Sequence, residues 1–211
     1  MMSDDRVKLV LASASPRRLA LLEQGGLRPD LLCPVDIDEA QRRRETPRAF
    51  SVRLAVEKAH AAIAAPVVKA LGSQRFIVAA DTVVAVGRRV ISTPGSVDEA
   101  AAALELLSGR SHKVITTVAV VSPSNQVRSR VVETRVRFKR LSREDIDSYL
   151  VSDEWRGKAG SYAIQGRAEV FVRHLNGSWS GVVGLPLYET VNLLAGAGYP
   201  VYYSWMNTLP E

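Results

Sequence analysis

Two arginines at the start of a helix, with no acid nearby to balance them, are the first residues of this chain that suggest chemistry. Leu9 to Gly26 reads L-V-L-A-S-A-S-P-R-R-L-A-L-L-E-Q-G-G. Val7, Leu9 and Leu11 make a short apolar strand, and Ser15-Pro16 has the form of an N-cap followed by proline at the first helical position. Arg17 and Arg18 then fall in the first turn, beside unpaired backbone N–H groups and the positive end of the helix dipole, where acids are normally preferred. Each cation there costs roughly a few tenths of a kcal/mol unless an anion is held between them. Ser13, Ser15, the free amides and both guanidinium groups form a candidate phosphate cradle. A pair of solvated arginines is the other reading, and the segment alone does not choose.

The second signal is Asp81 with Thr82, interrupting F-I-V-A-A-D-T-V-V-A-V from Phe76 to Val86. A run this apolar is a strand covered on both faces. A carboxylate in its middle is expensive to bury unless it is paired, bound to metal or lining a cleft, and the alternative is an aspartate satisfied by backbone donors. Lys58 follows Leu54 by one helical turn, close to an apolar stripe, so its ammonium points either into a cleft or, by snorkelling, into solvent.

The composition is that of a globular protein: 211 residues, 46% hydrophobic, with a net charge of +6 that favours anionic partners without choosing among phosphate esters, nucleic acid and acidic membrane. Cys33 is the only cysteine, which excludes an internal disulfide and is simplest in a reducing compartment. The histidines are scattered, so a structural zinc site is not expected and any catalytic metal would be hard and oxygen-liganded. The amino terminus, Met-Met-Ser-Asp-Asp-Arg, lacks the apolar core of a signal peptide. No apolar run nears the ~20 residues of a membrane span, so the expected setting is cytoplasmic.

The elements that must position these residues follow in order. Leu31 to Val35 reads as a strand leading to Asp36, Asp38 and Glu39. Thr46-Pro47 opens a helix of about four turns, with Phe50, Leu54 and Ala61 on its buried face. Val90 and Ile91 return from a turn at Gly87-Arg88-Arg89, and Ser96 with Glu99 forms a capping box for an alanine-rich helix. A hairpin joins Val114–Val121 to Val127–Phe138, whose second strand alternates Thr134, Val136 and Phe138 with Arg135, Arg137 and Lys139. That basic face is either solvated or a nucleic-acid surface. Ser142 and Asp145 cap a further helix, and Trp155 to Gly160 is a glycine-bearing loop. Val170 to Leu175, Asn176-Gly177 and Ser178 to Val183 read as a second hairpin. A last helix runs through Leu194 to an aromatic tail, Tyr199 to Trp205, expected to pack on the body. The intermixed strands and helices predict an α/β fold with a mixed twisted sheet flanked by helices, pinched into two lobes around a central cleft.

Taken together, S-A-S-P-R-R, A-D-T-V-V, A-I-Q-G at Ala163 to Gly166 and N-G-S-W-S-G-V-V-G-L-P-L resemble the Maf family of nucleotide pyrophosphatases from about Lys8 to Leu194. The resemblance implies one domain, residues 1–211, with a two-lobed fold related to the inosine triphosphatases. It also implies hydrolysis of nucleoside triphosphates to monophosphate and pyrophosphate with a divalent metal. It assigns Ser13, Ser15, Arg17 and Arg18 to the phosphate loop, Glu39 to the metal side of the cleft, Lys58 to the phosphates and Asp81 to proton acceptance. Arginine, threonine and glutamine at Arg17, Thr82 and Gln165 match the branch acting on dTTP and UTP. One departure stands out: Thr93 occupies the place of a usual lysine before Pro94, which implies either weaker transition-state stabilisation or substitution by Arg88 or Arg89.

The chemistry implied is attack of an activated water at the α-phosphorus, with Mg²⁺ or Mn²⁺ between the triphosphate and the carboxylates of Glu39 and Asp81. Gln165 can read a pyrimidine edge in both directions or brace its own loop. A regulator of septum formation that binds nucleic acid or a partner without turnover is the rival, motivated by the basic strand face and the family's history. Neither a P-loop nor a G-x-S-x-G element occurs. The aromatic tail leaves a homodimer open.

Overall fold

The structure, a computed structural model, describes residues 6–207. Met1 to Asp5, most of the segment inspected above for a signal peptide, lies outside the described residues. One mixed seven-stranded sheet runs through the chain: β1 (Lys8–Leu11), β2 (Leu31–Leu32), β3 (Arg75–Val86), β4 (Arg89–Ile91), β5 (Ser111–Val121), β6 (Val127–Phe138) and β7 (Val172–Asn176). Their order is β2-β1-β3-β5-β6-β7, with β4 pairing to β3; β1 is parallel to β2 and β3, and the remaining pairs are antiparallel. The helices are α1 (Pro16–Gln24), α2 (Pro47–Ala64), α3 (Pro66–Lys69), α4 (Val97–Leu107), α5 (Arg143–Val151), α6 (Trp179–Val183), α7 (Leu187–Gly196) and α8 (Val201–Asn207).

Strand periodicity explains why the sheet is covered on both sides. Leu9, Leu11, Phe76, Val78 and Ala80 face the larger core with Leu22 and Leu194, whereas Val10, Ala12, Ile77 and Ala79 face a second core with Ala55, Ala59 and Ala62 of α2. α2 is held at its start by Thr46, whose hydroxyl accepts from the Ala49 N–H at 3.2 Å. Its buried face is Phe50, Leu54, Ala55, Lys58, Ala59 and Ala62; Ala61, expected on that face, is only half-buried.

Three local expectations are corrected. β2 is a two-residue ladder rather than a strand to Val35, since only Leu31 and Leu32 pair with β1 before the chain departs. The capping box of α4 is half-made: Ser96 accepts from the Glu99 N–H at 3.2 Å, but the Glu99 carboxylate takes the Gly95 N–H at 2.7 Å. Ser178 to Val183 does not return as a strand. Asn176-Gly177 leads instead into α6, because the Ser178 hydroxyl caps it through the Gly181 N–H at 2.9 Å. A Cβ on Gly177 would meet Thr134 at 2.7 Å, so the turn lies flush on β6.

The tail forms α8. Tyr199 packs edge-on to Phe76 and the Trp205 indole donates to the Gly25 carbonyl at 2.8 Å, while Tyr202, Tyr203 and Met206 stay exposed. Among the described residues no helix is long and apolar enough to cross a membrane.

Candidate active site

The site follows from a gap in the sheet. β1 pairs with β3 only as far as Leu11 opposite Val78, and β4 joins the same edge only from Val84 onward. The residues between, Asp81 and Thr82 among them, have no strand beside them on that edge, while β5 runs along the other. The crevice lies beyond the carboxyl end of a parallel strand, where open α/β sheets commonly hold ligands. Its cleft has a volume of about 830 Å³ including the open mouth.

Ser15, Arg17, Arg18, Glu39, Lys58, Asp81, Thr82 and Gln165 all line this cleft. Ser13 lines an adjoining pocket with Ser15, Arg18, Glu39 and Lys58. The residues that the resemblance assigns to the site are thus in one neighbourhood, from segments as far apart as the first turn and Gln165. Thr93 is there too, whereas Arg88 and Arg89 do not line the cleft. Arg135 and Arg137 are exposed and also lie outside it.

At the centre of the cleft is an ion triplet. Lys58, on the buried face of α2, places Nζ 2.8 Å from Asp81 Oδ1 and 2.6 Å from Glu39 Oε1. Asp81 is 6% exposed and Lys58 9%, so the solvated reading of Lys58 is excluded and the aspartate is paired rather than alone. The Asp81 carbonyl also accepts from the buried Ser51 hydroxyl at 3.2 Å, fixing the strand against α2. The second oxygens of both carboxylates have no hydrogen-bond partner among the described residues.

Glu39 comes from a loop that is held from the side. Arg53 forks onto the Glu45 carboxylate at 2.8 and 3.1 Å, pairs with Glu57 at 3.0 Å and donates to the Ala40 carbonyl at 2.8 Å. The Glu45 bond raises the Arg53 pKa, and Arg53 in turn holds Glu45 below its usual value. This brace was missed in the sequence; its members look like an ordinary charged helix surface.

Arg18 ties the turn after β1 to two distant segments. Its Nε donates to the Gly184 carbonyl at 2.8 Å, one Nη to Ser13 Oγ at 3.3 Å and the other to Thr82 Oγ1 at 3.5 Å. Burial lowers its pKa, partly offset by Asp81 and Glu39. Ser13 Oγ also accepts from the Ser15 N–H at 3.1 Å. Ser15 has N-cap geometry, but its hydroxyl makes no capping bond and so faces the cleft.

A hydroxyl relay orients Thr82. Thr116 donates its one proton to the Gly181 carbonyl at 2.7 Å, so across the 3.0 Å contact between the two threonines Thr82 is the donor. The lone pairs of Thr82 remain for Arg18 and the cleft. Thr116 went unnoticed in the sequence, although V-I-T-T-V carries the same polar interruption of an apolar strand.

The carboxylates fit a divalent cation only in company. Among the described residues no group of three or more Asp, Glu, His or Cys could hold one. Two hard oxygen donors suit an ion such as Mg²⁺ that keeps several waters and takes further ligands from a substrate phosphate.

Comparison with known proteins bears on what this cleft does. The Maf-like protein family model matches residues 8–197. A protein named dTTP/UTP pyrophosphatase from Rhodopseudomonas palustris (strain HaA2) is 55% identical over 202 residues, covering 96% of this chain and 98% of its own. Another so named, from Mesorhizobium japonicum, is 53% identical over 203 residues, covering 96% and 98%. A solved structure of a nucleoside-triphosphatase / dITP/XTP pyrophosphatase from Mycobacterium abscessus aligns with a TM-score of 0.39 at 21% identity, covering 64% of this chain and 75% of that one.

Proposed function

Since the chain belongs to the Maf-like protein family, we propose that it is a single-domain nucleoside triphosphate pyrophosphatase, a hydrolase converting dTTP and UTP to the monophosphate and pyrophosphate. The observation that carries this reading is the convergence of Arg18, Asp81, Lys58 and Glu39 on one cleft that also holds Thr82 and Gln165.

In this mechanism Asp81, with Oδ1 held by Lys58, uses its other oxygen to take a proton from the attacking water. The oxygen of that water bonds to the α-phosphorus, the bond from that phosphorus to the bridging oxygen breaks, and pyrophosphate leaves with the electron pair. Arg18, Ser13 and Ser15 hold the triphosphate in line and face the charge that develops on the leaving group. Glu39 and Asp81 would hold Mg²⁺ or Mn²⁺, which when bound neutralises phosphate charge.

Base selection falls to Gln165 and Thr82, while Arg17 stays with the phosphates. Uracil and thymine present two carbonyls flanking an N–H. The Gln165 amide offers both a donor and an acceptor, and Thr82 a lone pair fixed by its relay. Cytosine reverses the donor and acceptor at two of those positions.

The test is pyrophosphate release from dTTP, UTP, CTP and GTP with Mg²⁺ or Mn²⁺, and again after chelation. Release from dTTP and UTP above the others, abolished by chelator, is expected. No pyrophosphate from any nucleotide with either metal removes the reading.

A further inference from the structure

The cleft holds more positive charge than the residues discussed so far account for. Lys158 lines it beside Arg17. Its ammonium makes one hydrogen bond, to the Arg156 carbonyl at 2.8 Å, and has no ion-pair partner among the described residues. Arg17 has neither hydrogen-bond nor ion-pair partner among them, and Arg18 bonds only neutral oxygens. Both cleft carboxylates are engaged by Lys58. Three cations thus face one cavity with no direct ion pair among the described residues, Asp81 and Glu39 acting on Arg18 and Glu154 on Lys158 only from a distance.

The electrostatics agree with that geometry. Burial lowers the Lys158 pKa and Arg17 lowers it further, against a smaller opposing pull from Glu154; burial also lowers Arg17, with Arg18 adding to the effect. Such an arrangement is held against its own repulsion by the fold, and a bound anion relieves it.

The loop carrying Lys158 is shaped to present it. Gly157 and Gly160 have φ of +62° and +74°, and a Cβ on Gly160 would meet Val84 of β3 at 2.9 Å, so the loop is pressed onto the strand beside Thr82. Trp155, buried one residue before Arg156, anchors the near end by donating to the Leu150 carbonyl at 3.0 Å. A lysine on a fixed loop loses less freedom on binding than one on a mobile arm.

We propose that Lys158 is a substrate-binding residue, forming with Arg17 an anion subsite that grips a phosphate group of the nucleotide. This deepens the pyrophosphatase reading and rests on it for the identity of the phosphate's owner. It also supplies positive charge that Thr93, Arg88 and Arg89 do not bring to the cleft. A neutral base carbonyl would leave the two cations repelling each other, whereas a phosphate oxygen cancels the repulsion.

The experiment titrates inorganic tripolyphosphate into the parent protein, K158Q and K158R by calorimetry, and measures kcat and KM for UTP and CTP on the same samples. K158Q is expected to bind tripolyphosphate about 10- to 100-fold more weakly, with K158R within about threefold of the parent. K158A serves in place of K158Q if the melting temperature shows the latter to be misfolded. Unchanged tripolyphosphate affinity in a folded K158Q overturns the proposal. So does a changed UTP-to-CTP preference with unchanged tripolyphosphate affinity, which would assign Lys158 to the base. A parent that binds tripolyphosphate through Lys158 yet releases no pyrophosphate upholds the subsite and retires the pyrophosphatase reading.

Discussion

Lys58 and Asp81 form a buried ion pair whose third member, Glu39, is not buried. The side chains of the pair are 11% and 8% exposed, against 58% for Glu39. Lys58 and Asp81 therefore belong to the packed body, while Glu39 can leave the ammonium for another cation at little cost. Cutting one partner from a buried pair costs about 3–5 kcal/mol, so Asp81→Ala tests folding and catalysis at once. Asp81→Asn separates them by keeping the shape and a hydrogen-bond acceptor for Lys58. It is expected to lower kcat at least about 100-fold while retaining native circular dichroism. Near-normal pyrophosphate release from the folded asparagine variant would falsify the role of Asp81.

Arg18 joins three segments through one planar group: the Gly184 carbonyl, Ser13 and Thr82. Lysine at this position keeps the charge but cannot make the fork. Arg18→Lys is expected to raise KM for UTP about tenfold or more and to destabilise the fold by about 1–2 kcal/mol. Steady-state kinetics and urea melts check both. A variant that loses stability with KM unchanged would make Arg18 a strut rather than a phosphate ligand.

The features that could be read in the sequence were those whose signal is local. Arg17 and Arg18 break the charge rule of a helix start, and Asp81 breaks an apolar strand, so both are anomalies within a few residues. The α/β alternation likewise needs only period and caps. Ser178 to Val183 reads as a strand because six residues of mixed pattern do not separate a strand from a short helix; the Ser178 cap that starts the helix is local, but the contacts that set Gly177 and Ser178 on β6 lie with Thr134. Thr116 and Arg53 escaped notice for the same reason. Each is ordinary in its own segment and acquires meaning only from partners brought by the fold: Gly181 for one, the loop from Asp38 to Glu45 for the other.

That loop yields a prediction about metal. Arg53 does not line the cleft, yet its bonds to Ala40 and Glu45 hold the stretch that carries Glu39. Arg53→Lys loses the bidentate grip and lets Glu39 wander. The Mg²⁺ concentration for half-maximal activity is expected to rise about tenfold, with kcat at saturating metal nearly unchanged, as for residues that support a metal ligand from behind. Titrating Mg²⁺ against pyrophosphate release at fixed UTP measures this. An unchanged metal curve would mean that Glu39 is held by Lys58 alone.

Beneath the cleft, His112 gives the fold an acid limit. It is 2% exposed, with Nε2 2.8 Å from the Tyr162 hydroxyl and its ring edge-on to Phe138. Burial lowers its pKa from 6.5 to about 4. The unfolded chain therefore takes up a proton on this residue between pH 6.5 and 4 that the folded chain refuses. Its contribution to stability is intact above pH 6.5 and is lost on acidification through that window, by about 2 kcal/mol at pH 5. His112→Gln keeps a polar partner for Tyr162 but does not titrate. Urea unfolding at pH 7.5 and 5.0 should show the parent losing about 2 kcal/mol more than this variant between the two conditions. Because Tyr162 lines the cleft above His112, the same acidification should loosen the Gln165 turn and raise KM for UTP before the chain unfolds. Equal pH dependence in parent and variant would mean that the imidazole is charged, or hydrated, in the folded protein.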